Sequence, residues 1–285
     1  MEKKAISVEY TGGGAKSALK IGLLVVAVIL VLLNWATNVI KPNNFMMNVE
    51  TKFLIDVFET KNLYLYLHLF TFVPIFLMSF DKKVAFFKRW YALFPALLVV
   101  AIIFWVWDVF KTNAQVWGFN PKYYHFLIGN LPIEEWFFFL TFPFAVAFVY
   151  ECLNAYFPRD ILKNYDKILT LGIGCTLIAV GLWNWEKSYT ATTWIPAGIF
   201  ACWHYYSFQN TYRTLFFRSF LVGLIPFYLV NSILTGSFTV EPLVFYNPAE
   251  YFGVRIGTIP IDDFAYNFLL EFMVMTAYQF FLKRK

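Results

Sequence analysis

Apolar residues run in long, nearly unbroken stretches along the 285-residue chain, and the polar residues gather between them. A helix needs ~20 mostly apolar residues to cross a bilayer. Eight stretches meet that condition, at about 19–40, 62–80, 90–111, 132–156, 167–186, 190–209, 214–236 and 259–282. The first, IGLLVVAVILVLLNW, follows the polar leader MEKKAISVEYTGGGAKSALK and lacks a small-x-small cleavage site, so it reads as an uncleaved anchor rather than a signal peptide.

The pattern also repeats. FNPKYYHFLIGNLPIEEWFFFL (119–140) aligns with YNPAEYFGVRIGTIPIDDFAYNFL (246–269): an aromatic, Asn-Pro, a dozen or so residues, then Pro-Ile-acid-acid-aromatic. Tyr150-Glu151 lies 18 residues after Pro132, and Tyr278-Gln279 lies 18 residues after Pro260. Upstream, FFKRW (86–90) and LFFRSF (215–220) open the preceding stretch of each half. The expected fold is therefore an all-α polytopic membrane protein of about eight transmembrane helices. Two parallel three-helix repeats are joined by a linker helix and preceded by an extra N-terminal anchor. The expected boundaries are 1–58 for leader and anchor, 59–157 for the first repeat, 158–188 for the linker and 189–285 for the second repeat. Parallel repeats are related by an axis along the membrane normal, which would set both acid pairs at one depth across one cavity.

Composition agrees with burial in lipid. The chain is 60% hydrophobic, 22% aromatic and only 14% charged, with a mean hydropathy of +0.58; a soluble domain carries about 25% charged residues. Of the 23 Lys and Arg, sixteen fall on the side of the N-terminus and seven on the other. That asymmetry makes the first side cytoplasmic, with both termini there, as in a bacterial inner membrane. Cys152, Cys175 and Cys202 have no metal-ligand spacing and read as small core residues. No nucleic-acid partner is expected.

Glu134-Glu135 and Asp262-Asp263 are the candidate chemistry. Acids in a first helical turn favour the dipole, and Pro suits a helix start, which accounts for each motif alone. It does not account for the recurrence behind the same Asn-Pro loop. Asp108, in FWVWDVF, falls at about the depth of Glu134 and Glu135. Several carboxyls in one greasy pocket cannot all ionise. A protonated one could act as a Brønsted acid toward an alkene, the cation being stabilised by the π-faces of Trp105, Trp107, Trp136, Phe137, Phe138 and Phe264. Glu271, near mid-bilayer, is either a proton relay or a helix–helix hydrogen-bonder. His68, His125 and His204 share no spacing and read as structural. GIGCTLIAVG (172–181) reads as close helix packing, and no dinucleotide-binding motif follows a strand.

LPIEEWFFF and IPIDDF, each opening a helix in a duplicated membrane protein, resemble the small integral-membrane lycopene β-cyclases. These occur as two-subunit, fused or single-chain forms in some bacteria, archaea and fungi. YLYLHLFTF, SFDKKVAFFKRWYALFPALLVV and VWGFNPKYY are similar to the single-chain form, and the resemblance spans about residues 60–285. It implies cofactor-free, metal-free, acid-driven ring closure at the ends of lycopene, a linear C40 polyene. Glu134 or Glu135 would protonate the terminal double bond, and a carboxylate would take the ring proton, without net redox change. Implied partners are lycopene and membrane lipid, with a second copy of the chain or other carotenoid enzymes as further ones. The second motif departs from the family pattern, having Asp262 where a Glu is expected. A carotenoid hydratase of the same superfamily would share the acids. A transporter or carotenoid-binding protein would instead use polar lining such as Asn231 and Asn267.

Overall fold

A computed structural model of the chain describes residues 54–283. The expected span at 19–40 lies outside the described residues. The described part is mostly helical, with seven helices: α1 Leu63–Met78, α2 Trp90–Asn113, α3 Ile133–Tyr156, α4 Asp166–Trp183, α5 Ser188–Ser207, α6 Arg213–Leu234 and α7 Ile261–Leu282. Four helical stretches, Phe86–Asn113, Ile133–Tyr156, Lys163–Trp183 and Arg213–Leu234, are long and apolar enough to cross a membrane, and α1 is a shorter apolar helix. Large apolar side chains such as Phe70, Leu98, Ile168 and Leu221 point outward along α1, α2, α4 and α6. Such a surface suits lipid, and the protein is a membrane protein.

α7 is the centre of the bundle. Nearly all its side chains from Asp262 to Phe280 are buried, the mark of a helix enclosed by others. It packs against α2, α3, α5 and α6, so any polar group on it has to find its partners inside the protein. α4 and α5 pack most closely, because small residues let their backbones approach. A Cβ on Gly198 would lie 2.4 Å from the Gly174 carbonyl oxygen, and one on Gly181 would lie 2.6 Å from Ile195 Cγ1.

Short strands tie the loops together in matching ways. β1 (Trp117–Phe119) pairs antiparallel with β4 (Val244–Tyr246), with Gly118 opposite Phe245. On either side of that pair the bonds are reciprocal: Asn120 N donates to Leu243 O at 2.8 Å, and Asn247 N donates to Val116 O at 2.9 Å. Each Asn side chain accepts from the amide two residues on, Lys122 N or Ala249 N, at 3.1 Å in both cases. These Asx turns are why Asn-Pro recurs. A hairpin with a two-residue turn follows each Asn-Pro turn, β2–β3 (Leu127–Ile128 with Leu131–Pro132) and β5–β6 (Arg255–Ile256 with Ile259–Pro260). Gly129 and Gly257 hold the first turn position at φ +66° in both, a conformation that favours glycine.

At the other end of the bundle α3 meets α7 through another crossed pair. Tyr278 Oη donates to Glu151 Oε1 at 2.6 Å, while Gln279 Nε2 donates to Tyr150 Oη at 3.3 Å. Arg89 completes the cluster with an ion pair to Glu151 at 3.2 Å.

Candidate active site

Each Pro-Ile-acid-acid unit converts a hairpin into a helix. Pro132 and Pro260 are the last residues of β3 and β6 and sit one position before α3 and α7, with φ near −55°. The two acids therefore occupy successive positions in the first turn, about 100° apart around the axis. That rotation separates their roles. Glu134 turns back to its own loop, where Oε1 accepts from His125 N at 3.2 Å and meets His125 Nδ1 at 2.6 Å. Asp262 likewise accepts from its own loop, from Phe252 N at 3.0 Å, and also from Trp194 Nε1 on α5 at 3.1 Å.

The second acid of each pair faces inward. Glu135 and Asp263 line one cavity together with Asp108, which reaches it from the penultimate turn of α2. All three carboxyls are buried, at 8%, 6% and 1% exposure. Glu135 accepts a hydrogen bond from Tyr64 Oη and lies beside the Asp108 carboxyl. Asp108 Oδ1 accepts from Trp117 Nε1 at 2.6 Å and from Thr112 Oγ1 at 3.4 Å, while its Oδ2 has no donor among the described residues. Asp263 is held by three neutral donors: Tyr189 Oη at 2.6 Å, Tyr246 Oη at 2.8 Å and Asn231 Nδ2 at 2.9 Å. Tyr246 lies on β4, where burial and the neighbouring Asp263 carboxylate push its phenol well above the ordinary range, so it remains a donor.

Aromatic rings enclose these groups. Tyr266, one turn along α7 from Asp263, stacks on Trp107 at 4.7 Å and meets the edges of Phe104 and Trp117 at 5.2 and 6.2 Å. The cavity has a volume of about 60 Å³ and shares Phe227 and Asn267 as wall residues with a second, apolar one of about 220 Å³. Phe70, Pro74, Phe142, Gly223 and Glu271 line the larger cavity. Glu271 Oε1 has no donor among the described residues.

Of the six expected aromatics, only Phe138 lines the carboxyl cavity. Trp107 forms the layer behind it, under Tyr266. Trp105 and Trp136 pack on each other at 5.3 Å, with Trp105 Nε1 bonded to Trp136 O. Phe137 points outward at 51% exposure. Phe264 lies on another face of α7, packed on Phe227 and lining a separate apolar cavity of about 400 Å³. Tyr64, Tyr189, Tyr246, Trp117 and Tyr266 were not singled out from the sequence. The signal for two of them was present: Tyr64 and Tyr189 lie near the starts of α1 and α5. Asn231 and Asn267, read as transporter-like lining, are walls of this cavity. Among the described residues no group of three or more His, Cys, Asp or Glu is arranged to hold a metal ion.

Apolar helices suited to a membrane and an aromatic-walled cavity holding three carboxyls place the chain among membrane proteins with an acidic internal site. A family model described as lycopene cyclase matches residues 61–153 and 186–281, more than half of the chain, and the chain belongs to the lycopene cyclase family. No curated protein and no solved structure matches it.

Proposed function

We propose that the protein is a lycopene β-cyclase that closes β-rings on the ψ end groups of lycopene by proton transfer, giving γ- and β-carotene without net redox change. The supporting observation is the convergence of Asp108, Glu135 and Asp263, from three different helices, on one aromatic-walled cavity. The polyene stem occupies the larger apolar cavity, and the end group reaches the carboxyls past Phe227 and Asn267. A carboxyl hands its proton to the terminal double bond, forming a C–H bond and a tertiary cation. The next double bond attacks that cation, closing the ring and moving the positive charge onto a ring carbon. A neighbouring ring carbon then loses its proton to a carboxylate, and the C–H electrons become the ring double bond. Tyr266, Trp117 and Phe138 offer π-faces to the cation while excluding water that would trap it. The reaction consumes no electrons.

In this reading the chain has eight spans, the anchor at 19–40 included, with both termini cytoplasmic in a bacterial inner membrane. Residues 59–157 and 189–285 are duplicated halves, and 158–188 links them. Expression in a bacterium that accumulates lycopene tests the activity. β- or γ-carotene is the expected pigment; a hydroxylated acyclic product would make the protein a hydratase, and unchanged lycopene would refute both.

A further inference from the structure

Positions that correspond in the two halves have not kept the same side chains around the cavity. Glu135 and Asp263 correspond, and each takes a hydrogen bond from the tyrosine near the start of its half, Tyr64 or Tyr189. Those tyrosines correspond too, since Tyr64 N donates to Tyr123 O and Tyr189 N to Glu250 O. Asp108 corresponds to Asn231. In both helices the carbonyl three residues on, Lys111 O or Leu234 O, accepts from the residue just before the strand, Val116 N or Leu243 N, and a threonine follows at Thr112 or Thr235. Phe119 corresponds to Tyr246, flanking the Asn-Pro turn. The first half thus offers a carboxyl beside a carboxyl. The second half offers a carboxyl beside an amide and two phenols.

Resting on the cyclase reading, we infer that the two halves have diverged into a proton-donating and a proton-accepting half-site. Glu135 with Asp108 delivers the proton, and Asp263, cradled by Tyr189, Asn231 and Tyr246, removes the ring proton. Two adjoining carboxyls in a dry cavity repel each other as anions and therefore retain a proton between them. A carboxylate that accepts three hydrogen bonds from neutral donors is stabilised as the anion. The cycle balances: the Glu135–Asp108 pair loses one proton to the polyene, Asp263 gains one from the ring, and its return to the pair resets the site. Other charged groups nearby are turned elsewhere. Glu134 and Asp262 face their loops, Lys111 donates to Ser188 Oγ at 2.6 Å, and Arg255 lies over the Tyr246 ring at 5.6 Å.

The test is the pH dependence of turnover by the full chain in lycopene-loaded liposomes, over about pH 5 to 9. Asp108→Asn removes the like charge that makes the donor hold its proton, so the alkaline limb moves to lower pH by about one unit or more. Asn231→Asp builds a carboxyl pair around the acceptor, so the acidic limb moves to higher pH by a similar amount. Should either variant lose all turnover, Tyr64→Phe and Tyr246→Phe carry the test, each removing one donor from one carboxyl. Tyr64→Phe then moves the alkaline limb and Tyr246→Phe the acidic limb, both upward, and phenylalanine already stands at the position corresponding to Tyr246. Variants from opposite halves that move the same limb, or that move neither, overturn the division of labour. A wild-type chain that forms no ring overturns the cyclase reading instead.

Discussion

Glu134 and Glu135 are adjacent and chemically alike, yet the fold assigns them unlike work, and replacing each by Gln separates the two. Glu135→Gln removes an inward-facing carboxyl next to Asp108 while preserving an oxygen that can accept from Tyr64. General acid catalysis contributes ~10²–10⁴-fold, and Asp108 alone lacks the partner carboxyl that keeps the proton in place. The expected loss is at least about 10³-fold, or roughly 4 kcal/mol at 1.36 kcal/mol per decade. Glu134→Gln keeps an acceptor for His125 N but weakens a contact of 2.6 Å to the His125 ring. Its expected cost is about 1–2 kcal/mol of stability, with turnover within about threefold of wild type. The assay is the initial rate of lycopene consumption by equal amounts of folded protein, with thermal midpoints measured alongside. A Glu135→Gln variant that keeps its rate while Glu134→Gln loses it would refute the orientation of the motif.

Three further outcomes follow from the packing and the loops. Gly198→Ala drives a Cβ toward Gly174 O and forces α4 away from α5, with an expected loss of about 1–3 kcal/mol of stability, read as a lower thermal midpoint of the solubilised protein; an unchanged midpoint counts against the close approach. Glu271→Leu removes a buried carboxyl oxygen without a donor, so stability should rise by about 1–3 kcal/mol, and a fall would mean the acid has a partner. At the loop surface, burial opposes ionisation of Glu59, but hydrogen bonds from Lys122, Val240 N and Tyr123 outweigh it and hold its carboxyl below the ordinary value. A lowered value in the folded state means stability present above the ordinary carboxylate range and lost as pH falls through the folded value. Wild type should therefore lose its thermal advantage over Glu59→Gln on acidification; a gap that widens in acid would reverse the sign.

The recurrence of Asn-Pro and Pro-Ile-acid-acid was legible because each serves a local purpose, an Asx turn and a hairpin that runs into a helix. Which acid faces the cavity was not legible, since two side chains 100° apart allow either to point inward and only tertiary packing chooses. Closeness in sequence does not decide which aromatics wall the cavity. Trp105, Trp136 and Phe137 are neighbours of the acids along the chain but face other directions, whereas Tyr64, Tyr189 and Tyr246 arrive from distant segments. α5 and α7 have another lesson: their polar residues lower the apolar signal of a span because these helices are enclosed by others and carry part of the cavity.

The central claim, that a carboxyl proton becomes part of the hydrocarbon, is tested most directly by isotope. The full chain, solubilised and equilibrated in D₂O without nucleotide, is given lycopene for a single turnover, and the product is weighed by mass spectrometry. One deuteron in each ring formed is the predicted result; rings that form without deuterium would contradict the account.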